Sequence, residues 1–129
     1  AQNKTLELNM PDRTPVETPQ AWPAESTLTL LPAAQHRIYY YSGAYTGAPM
    51  QHCPMAQLNQ LVLRYKQQAQ ALPAHYSAHA HRLHVLIKAT DHSLYADLIQ
   101  TIDALLINDV QDYALVDPDA LEQQAVAGK

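Results

Sequence analysis

The chain has 129 residues, 47% of them apolar and 16% charged, with a net charge of −4. This is the composition of one globular domain with tails, and with no basic stripe to neutralise phosphates it argues against a nucleic-acid partner. The single cysteine, Cys53, excludes an internal disulfide, and no stretch approaches the ~20 apolar residues of a membrane span.

Residues 4–10, KTLELNM, alternate apolar and polar side chains, which predicts a short N-terminal strand within residues 1–10. Residues 11–26 follow as a linker. Pro11, Pro15, Pro19 and Pro23 forbid helix and sheet interior there, and Trp22 reads as an anchor that pins the linker to the domain. Residues 27–117 are the globular part. A folded unit of that size buries roughly 60–65% of its unfolded surface, enough to fold alone with little margin.

Residues 27–32 predict a second strand, and Arg37–Gly43 a third, hairpin-paired with it through AAQH. Residues 44–54 read as loop. Pro54 then fits the first turn of a helix running to about Leu72, with Leu58, Leu61, Val62, Tyr65, Ala69 and Leu72 on its apolar face. After a histidine-rich loop, Leu83–Ala89 is a strand. A second helix runs from Ser93 or Leu94 to Leu106, with Asp91 and Ser93 as N-cap candidates and Asp97 near its first turn. Gln111–Asp117 is the last strand, and residues 118–129 read as a polar tail, frayed or weakly helical. The order predicts an α+β, two-layer sandwich. Two helices pack on one face of a mixed four- to five-stranded sheet, with the N-terminal strand joined by the proline-rich linker.

Residues with chemical potential are scattered. His75, His79, His81 and His84 lie within one short stretch, and His79 and His81 have the spacing of a metal-binding pair if the strand extends back to them. A histidine-based metal-binding domain is therefore one alternative, although no cysteine or paired carboxylate adjoins them in sequence. Cys53, just ahead of a helix, has the setting for a lowered thiol pKa, weighed against a small half-buried residue. Nucleophile elbows, phosphate-cradling glycine loops and dinucleotide fingerprints do not occur. The expectation is a protein that is not an enzyme and carries no cofactor or metal.

One segment carries a wider pattern. VLIKATDHSLYADLIQTIDALL (Val85–Leu106) joins a buried strand to an apolar helix through a polar break, and DVQDYALVD follows. Lys88, Ala89, Tyr95, Leu98, Asp103 and Leu105, followed by Leu115 and Val116, resemble the periplasmic domain of the ExbD/TolR family of proton-driven energy-transducing proteins. LELNMP (Leu6–Pro11) is similar to the strand that follows that family's single transmembrane helix.

The resemblance implies that these residues are the soluble part of a protein anchored in the inner membrane by a helix not in this sequence. That helix carries the family's proton-bearing aspartate. It implies an ExbD-type role in the ExbB–ExbD–TonB system that energises outer-membrane transport, with an ExbB-like partner at the missing helix and a TonB-like partner in the periplasm. A TolR-like role in Tol-Pal envelope maintenance is the alternative within the family. Action would be through dimerisation and strand pairing, with a homodimer in which the N-terminal strand is swapped or cross-paired. Leu6 and Leu8 in the first strand, and Tyr113 and Leu115 in the last, are the residues expected to mediate it.

Overall fold

The computed structural model describes residues 22–127 apart from Thr46, Ala48, Ser77 and His92, and gives the backbone alone at His79 and Ala127. The expected N-terminal strand, with Leu6 and Leu8, lies outside the described residues, as does most of the linker. The linker's last part is described: Trp22 is buried, its ring 5.1 Å from that of His84.

Among the described residues five strands form one mixed sheet. Strands β1 (Thr27–Ala33) and β2 (Arg37–Ser42) make the antiparallel hairpin, and β3 (Gln51–Pro54) pairs antiparallel with β2. Strands β4 (His84–Ile87) and β5 (Asp112–Leu115) extend the sheet on the other side, parallel to β1 and to each other. The order across the sheet is β3-β2-β1-β4-β5. Helix α1 (Leu58–Gln70) connects β3 to β4, and α2 (Tyr95–Ile107) connects β4 to β5. The architecture is α+β, a two-layer sandwich with α1 and α2 on one face of the sheet.

Strand alternation explains the layering. Leu28, Leu30, Ile38, Tyr40, Val85, Ile87 and Tyr113 point to the helices, where they meet Leu58, Leu61, Val62, Leu98 and Leu105 in one core. Full burial of each such side chain is worth about 1.5–3 kcal/mol. β1 is buried along its whole length. It sits at the centre of the sheet, and its alternate residues Leu31 and Ala33 form a smaller core on the reverse face with Tyr39, Met50 and Val126.

The structure departs from the expected elements at five places. Gln51–Pro54 is a strand where loop was expected, and Pro54 ends it with an extended backbone rather than opening a helix. An edge strand tolerates proline because its outer side needs no ladder donor. A 3-10 turn at Met55–Gln57 then leads into α1. Neither Asp91 nor Ser93 caps α2: its N-cap is Leu94, with no side-chain cap bond, because the Ser93 hydroxyl donates instead to the Thr90 carbonyl at 2.8 Å.

Ala78–His81 is a 3-10 helix, so the pleat that would align His79 with His81 does not form. Last, the tail expected to be frayed or weakly helical holds a formed helix, α3 (Ala120–Ala127), docked with Glu122 and Val126 buried against the reverse face of the sheet. Its start is a reciprocal capping box. The Asp119 amide donates to Glu122 Oε1 and the Glu122 amide to Asp119 Oδ1, each at 2.9 Å.

Candidate functional site

The polar break between β4 and α2 is the first place to look, because ligands of parallel sheets gather beyond the carboxyl ends of strands. The hydroxyls and amides of Thr90 and Ser93 bond to main-chain carbonyls of the domain itself. Thr90 donates through both its amide and its hydroxyl to the Pro32 carbonyl, at 3.3 and 2.9 Å, and the Ser93 amide donates to the Thr90 carbonyl. Thr90 thus stitches the end of β4 to the end of β1, and the break's described residues form no donor array aimed at a ligand.

Beside it, the β1–β2 turn places Gln35 and His36 at φ 64° and 56°. Left-handed backbone at residues other than glycine costs of order 1–3 kcal/mol and persists only where neighbours hold it. Here His36 Nδ1 lies 2.9 Å from Oδ1 of Asp97, in the first turn of α2. Asp97 is buried, and its Oδ2 has no hydrogen-bond partner among the described residues.

The far end of α2 closes with equal economy. Asp109 takes φ 58°, the Val110 amide donates to the Leu105 carbonyl at 2.8 Å, and the Asp109 amide donates to that of Leu106 at 3.0 Å. These are the two bonds of a Schellman motif. Lys66 reaches over from α1 and donates to the Asn108 carbonyl at 2.6 Å. α2 therefore hands the chain to β5 at a defined register.

β5 is the outermost strand on its side of the sheet among the described residues. Its pairing runs from His84↔Asp112 to Ile87↔Leu115, and the Val116 amide adds a bond to the Ile87 carbonyl. The two candidate residues here differ. The Tyr113 side chain is buried in the main core, so only its main chain is at the border; Leu115 is half-buried and packs against that core from the edge. The structure brings Tyr113 and Leu115 together on one strand. Leu6 and Leu8 lie outside the described residues.

A second constellation was not legible in the sequence. At the opposite end of β4, Ser26 Oγ stands 3.5 Å from His84 Nδ1, and His84 Nε2 stands 3.8 Å from Asp112 Oδ2. Serine, histidine and aspartate in a row suggest acyl transfer, but the site has no room for it. Ser26 and His84 are buried, Trp22 packs on the imidazole, and the adjoining hollow measures about 40 Å³, little more than a water or two. Arg82 also holds Asp112 at 3.0 Å. Residues 58 apart in sequence for the serine–histidine contact leave no local signal.

A larger cleft, about 230 Å³, lies where Lys66, His81, Arg82, Asp109 and Asp112 meet. Its basic side chains are engaged: Lys66 on Asn108, Arg82 on Asp112, and His81 Nε2 at 3.0 Å from the Leu72 carbonyl. Among the described residues no group of three or more His, Cys, Asp or Glu side chains is placed to hold a metal ion. Cys53 sits on β3 opposite Ile38, and burial pushes its thiol pKa up rather than down, against a smaller opposing pull from Arg64.

On the reverse face Lys88, Glu122 and Tyr41 form a buried polar cluster. Lys88 Nζ donates to Glu122 Oε2 at 2.8 Å, and the Tyr41 hydroxyl donates to the same oxygen. Burial first, then that bond to Glu122, holds the phenol well above its ordinary value. The sequence had placed Lys88 near the end of a strand and within the family resemblance, with no partner; Glu122 is a surface residue to any local reading.

No helix among the described residues is long and apolar enough to cross a membrane. No protein-family model matches this chain, and no curated protein matches it.

Proposed function

We propose that this chain is the periplasmic domain of an ExbD-type component of the proton-motive-force-driven ExbB–ExbD–TonB system. It is held in the inner membrane by a helix outside this sequence. It works without a cofactor and without catalysis, as a homodimer whose edge strand takes up an extended segment of a TonB-like protein. The observation that carries this reading is the position of β5. The segment bearing the family resemblance runs from β4 through α2 and delivers β5 to the border of the sheet, where main-chain pairing gives affinity and alternate side-chain contacts give specificity. The bonds of Thr90 to the Pro32 carbonyl are consistent with it, since they serve the register of β4 and β1.

The test is a titration of the isotope-labelled chain with a synthetic peptide from the linker of a TonB-like protein. Expected are shift changes and new hydrogen-exchange protection at the amides of Asp112–Val116, both weakened by Leu115→Gln. A Tol-derived peptide that binds there in its place would move the assignment to the envelope-maintenance branch. Absence of binding by either at millimolar peptide, or changes confined to the far border at β3, rejects edge pairing at β5.

A further inference from the structure

Helix α2 is apolar on more of its circumference than the core uses. Asp97, Leu98, Thr101, Ala104 and Leu105 are the buried arc. Tyr95, Ile99, Ile102 and Leu106 fall at i, i+4, i+7 and i+11 and so form a second stripe on one flank. Tyr95 is 73% exposed, Ile99 38% and Leu106 56%, while Ile102 leans on the core.

The flank can be placed. Asp97 meets His36 of the β1–β2 turn and Thr101 meets Met55 ahead of α1, so that side of α2 faces the hairpin and α1. By helical spacing the second stripe lies well around the circumference from Asp97 and Thr101. Large apolar side chains at helical spacing, left in water on one face, mark an interaction surface.

Charge selects the occupant. From Ala89 to Gly128 the chain holds no Lys or Arg. Of the buried acids of this region, Glu122 is paired with Lys88 and Asp97 shares a hydrogen bond with His36. Those around the stripe are exposed, Asp103 along it and Asp91 and Asp109 at its ends. Two cations from other elements are engaged, Lys66 of α1 on the Asn108 carbonyl and Arg82 on Asp112. A second copy meeting this face with its own α2 would set acid against acid, and an anionic lipid surface would be repelled in the same way.

We propose that the outer flank of α2 is a docking surface for an amphipathic helical segment of another protein, one whose apolar residues recur at heptad spacing and are flanked by Lys or Arg. The segment lays its apolar side along Tyr95, Ile99 and Leu106, and its cations meet Asp103 and the acids at the helix ends. This inference stands apart from strand pairing at β5, which uses main-chain groups of a different element.

The experiment uses the 129-residue chain and two labelled synthetic helical peptides with leucines at heptad spacing, one with lysine flanks and one with glutamate flanks. Fluorescence anisotropy at low salt should show the lysine peptide binding at least about tenfold more tightly, with the preference shrinking as salt rises. Tyr95→Gln combined with Leu106→Gln should abolish binding with an unchanged circular dichroism spectrum, because both side chains are mostly in water. Asp103→Lys should narrow the preference, and none of these variants should alter capture of a TonB-like peptide at β5. Equal binding of both peptides, no binding at millimolar concentration, or binding that survives the double substitution overturns the proposal. So does self-association, or capture of a peptide of residues 1–21, that the same double substitution removes.

Discussion

Two surfaces of this domain invert the usual rule of burial. On the reverse face of the sheet, charged groups are inside: Glu122 is 1% exposed, with Lys88 and Tyr41 on one of its oxygens. On the outer flank of α2, tyrosine, isoleucine and leucine are outside. The contrast shows that partners, more than residue type, decide burial in a domain this small. The carboxylate goes in because a lysine, a phenol and the Asp119 amide satisfy it. The apolar flank stays out because nothing in the described chain covers it.

Breaking the buried cluster should cost most. Lys88→Met leaves Glu122 buried without its counter-charge, and breaking such a pair costs about 3–5 kcal/mol; the value here belongs at the lower end, since Lys88 keeps some access to water. Urea denaturation should show the loss, and adding Glu122→Gln should recover most of it. Recovery separates the penalty of an orphaned charge from simple loss of packing.

Alkali attacks the same cluster through the phenol. Tyr41 has its pKa raised above the ordinary 10.0, so above that pH the unfolded chain has released a proton that the folded chain retains. Stability is fully present below pH about 10 and falls above it, by at most about 1.4 kcal/mol per pH unit and by less to the extent that the ring meets water. Tyr65, also raised by burial, adds to the slope. Tyr41→Phe should flatten the high-pH limb of a stability profile measured by denaturant midpoint.

Asp119→Ala is a gentler version, because it removes one side of the α3 capping box and should cost about 1 kcal/mol. The loss should appear first as faster hydrogen exchange in residues 120–127. At the small end, Tyr95→Gln and Leu106→Gln should each change stability by no more than about 0.5 kcal/mol. A larger loss would place those side chains in the core and erase the contrast between the two surfaces.

How far the sequence announced this molecule follows from the reach of each signal. β1, β2, β4, β5 and the two long helices stand on periodic runs, where alternation or a 3.6-residue stripe repeats often enough to be read. β3 has four residues, a proline and no alternation, and exists only because β2 offers it an edge. α3 was legible in principle, since DALE carries an acid at the cap and a glutamate three positions on, but its surroundings are polar and its docking depends on Lys88 and Tyr41 far back in the chain. At the border strand, periodicity could place Tyr113 and Leu115 on β5 but not divide their roles. Tyr113 is buried within the main core, whereas Leu115 stayed at the margin. The His36–Asp97 and Ser26–His84–Asp112 contacts join residues far apart in sequence, which no local pattern encodes.

Trp22 is the one tryptophan in the chain, and it rests against a buried imidazole where the polypeptide enters the sheet. Its ultraviolet emission is therefore a built-in optical gauge of that corner. A red shift at denaturant concentrations below the loss of helical ellipticity would mean that the entrance to β1 lets go before the rest, and coincident transitions would mean that it is sealed into the cooperative unit.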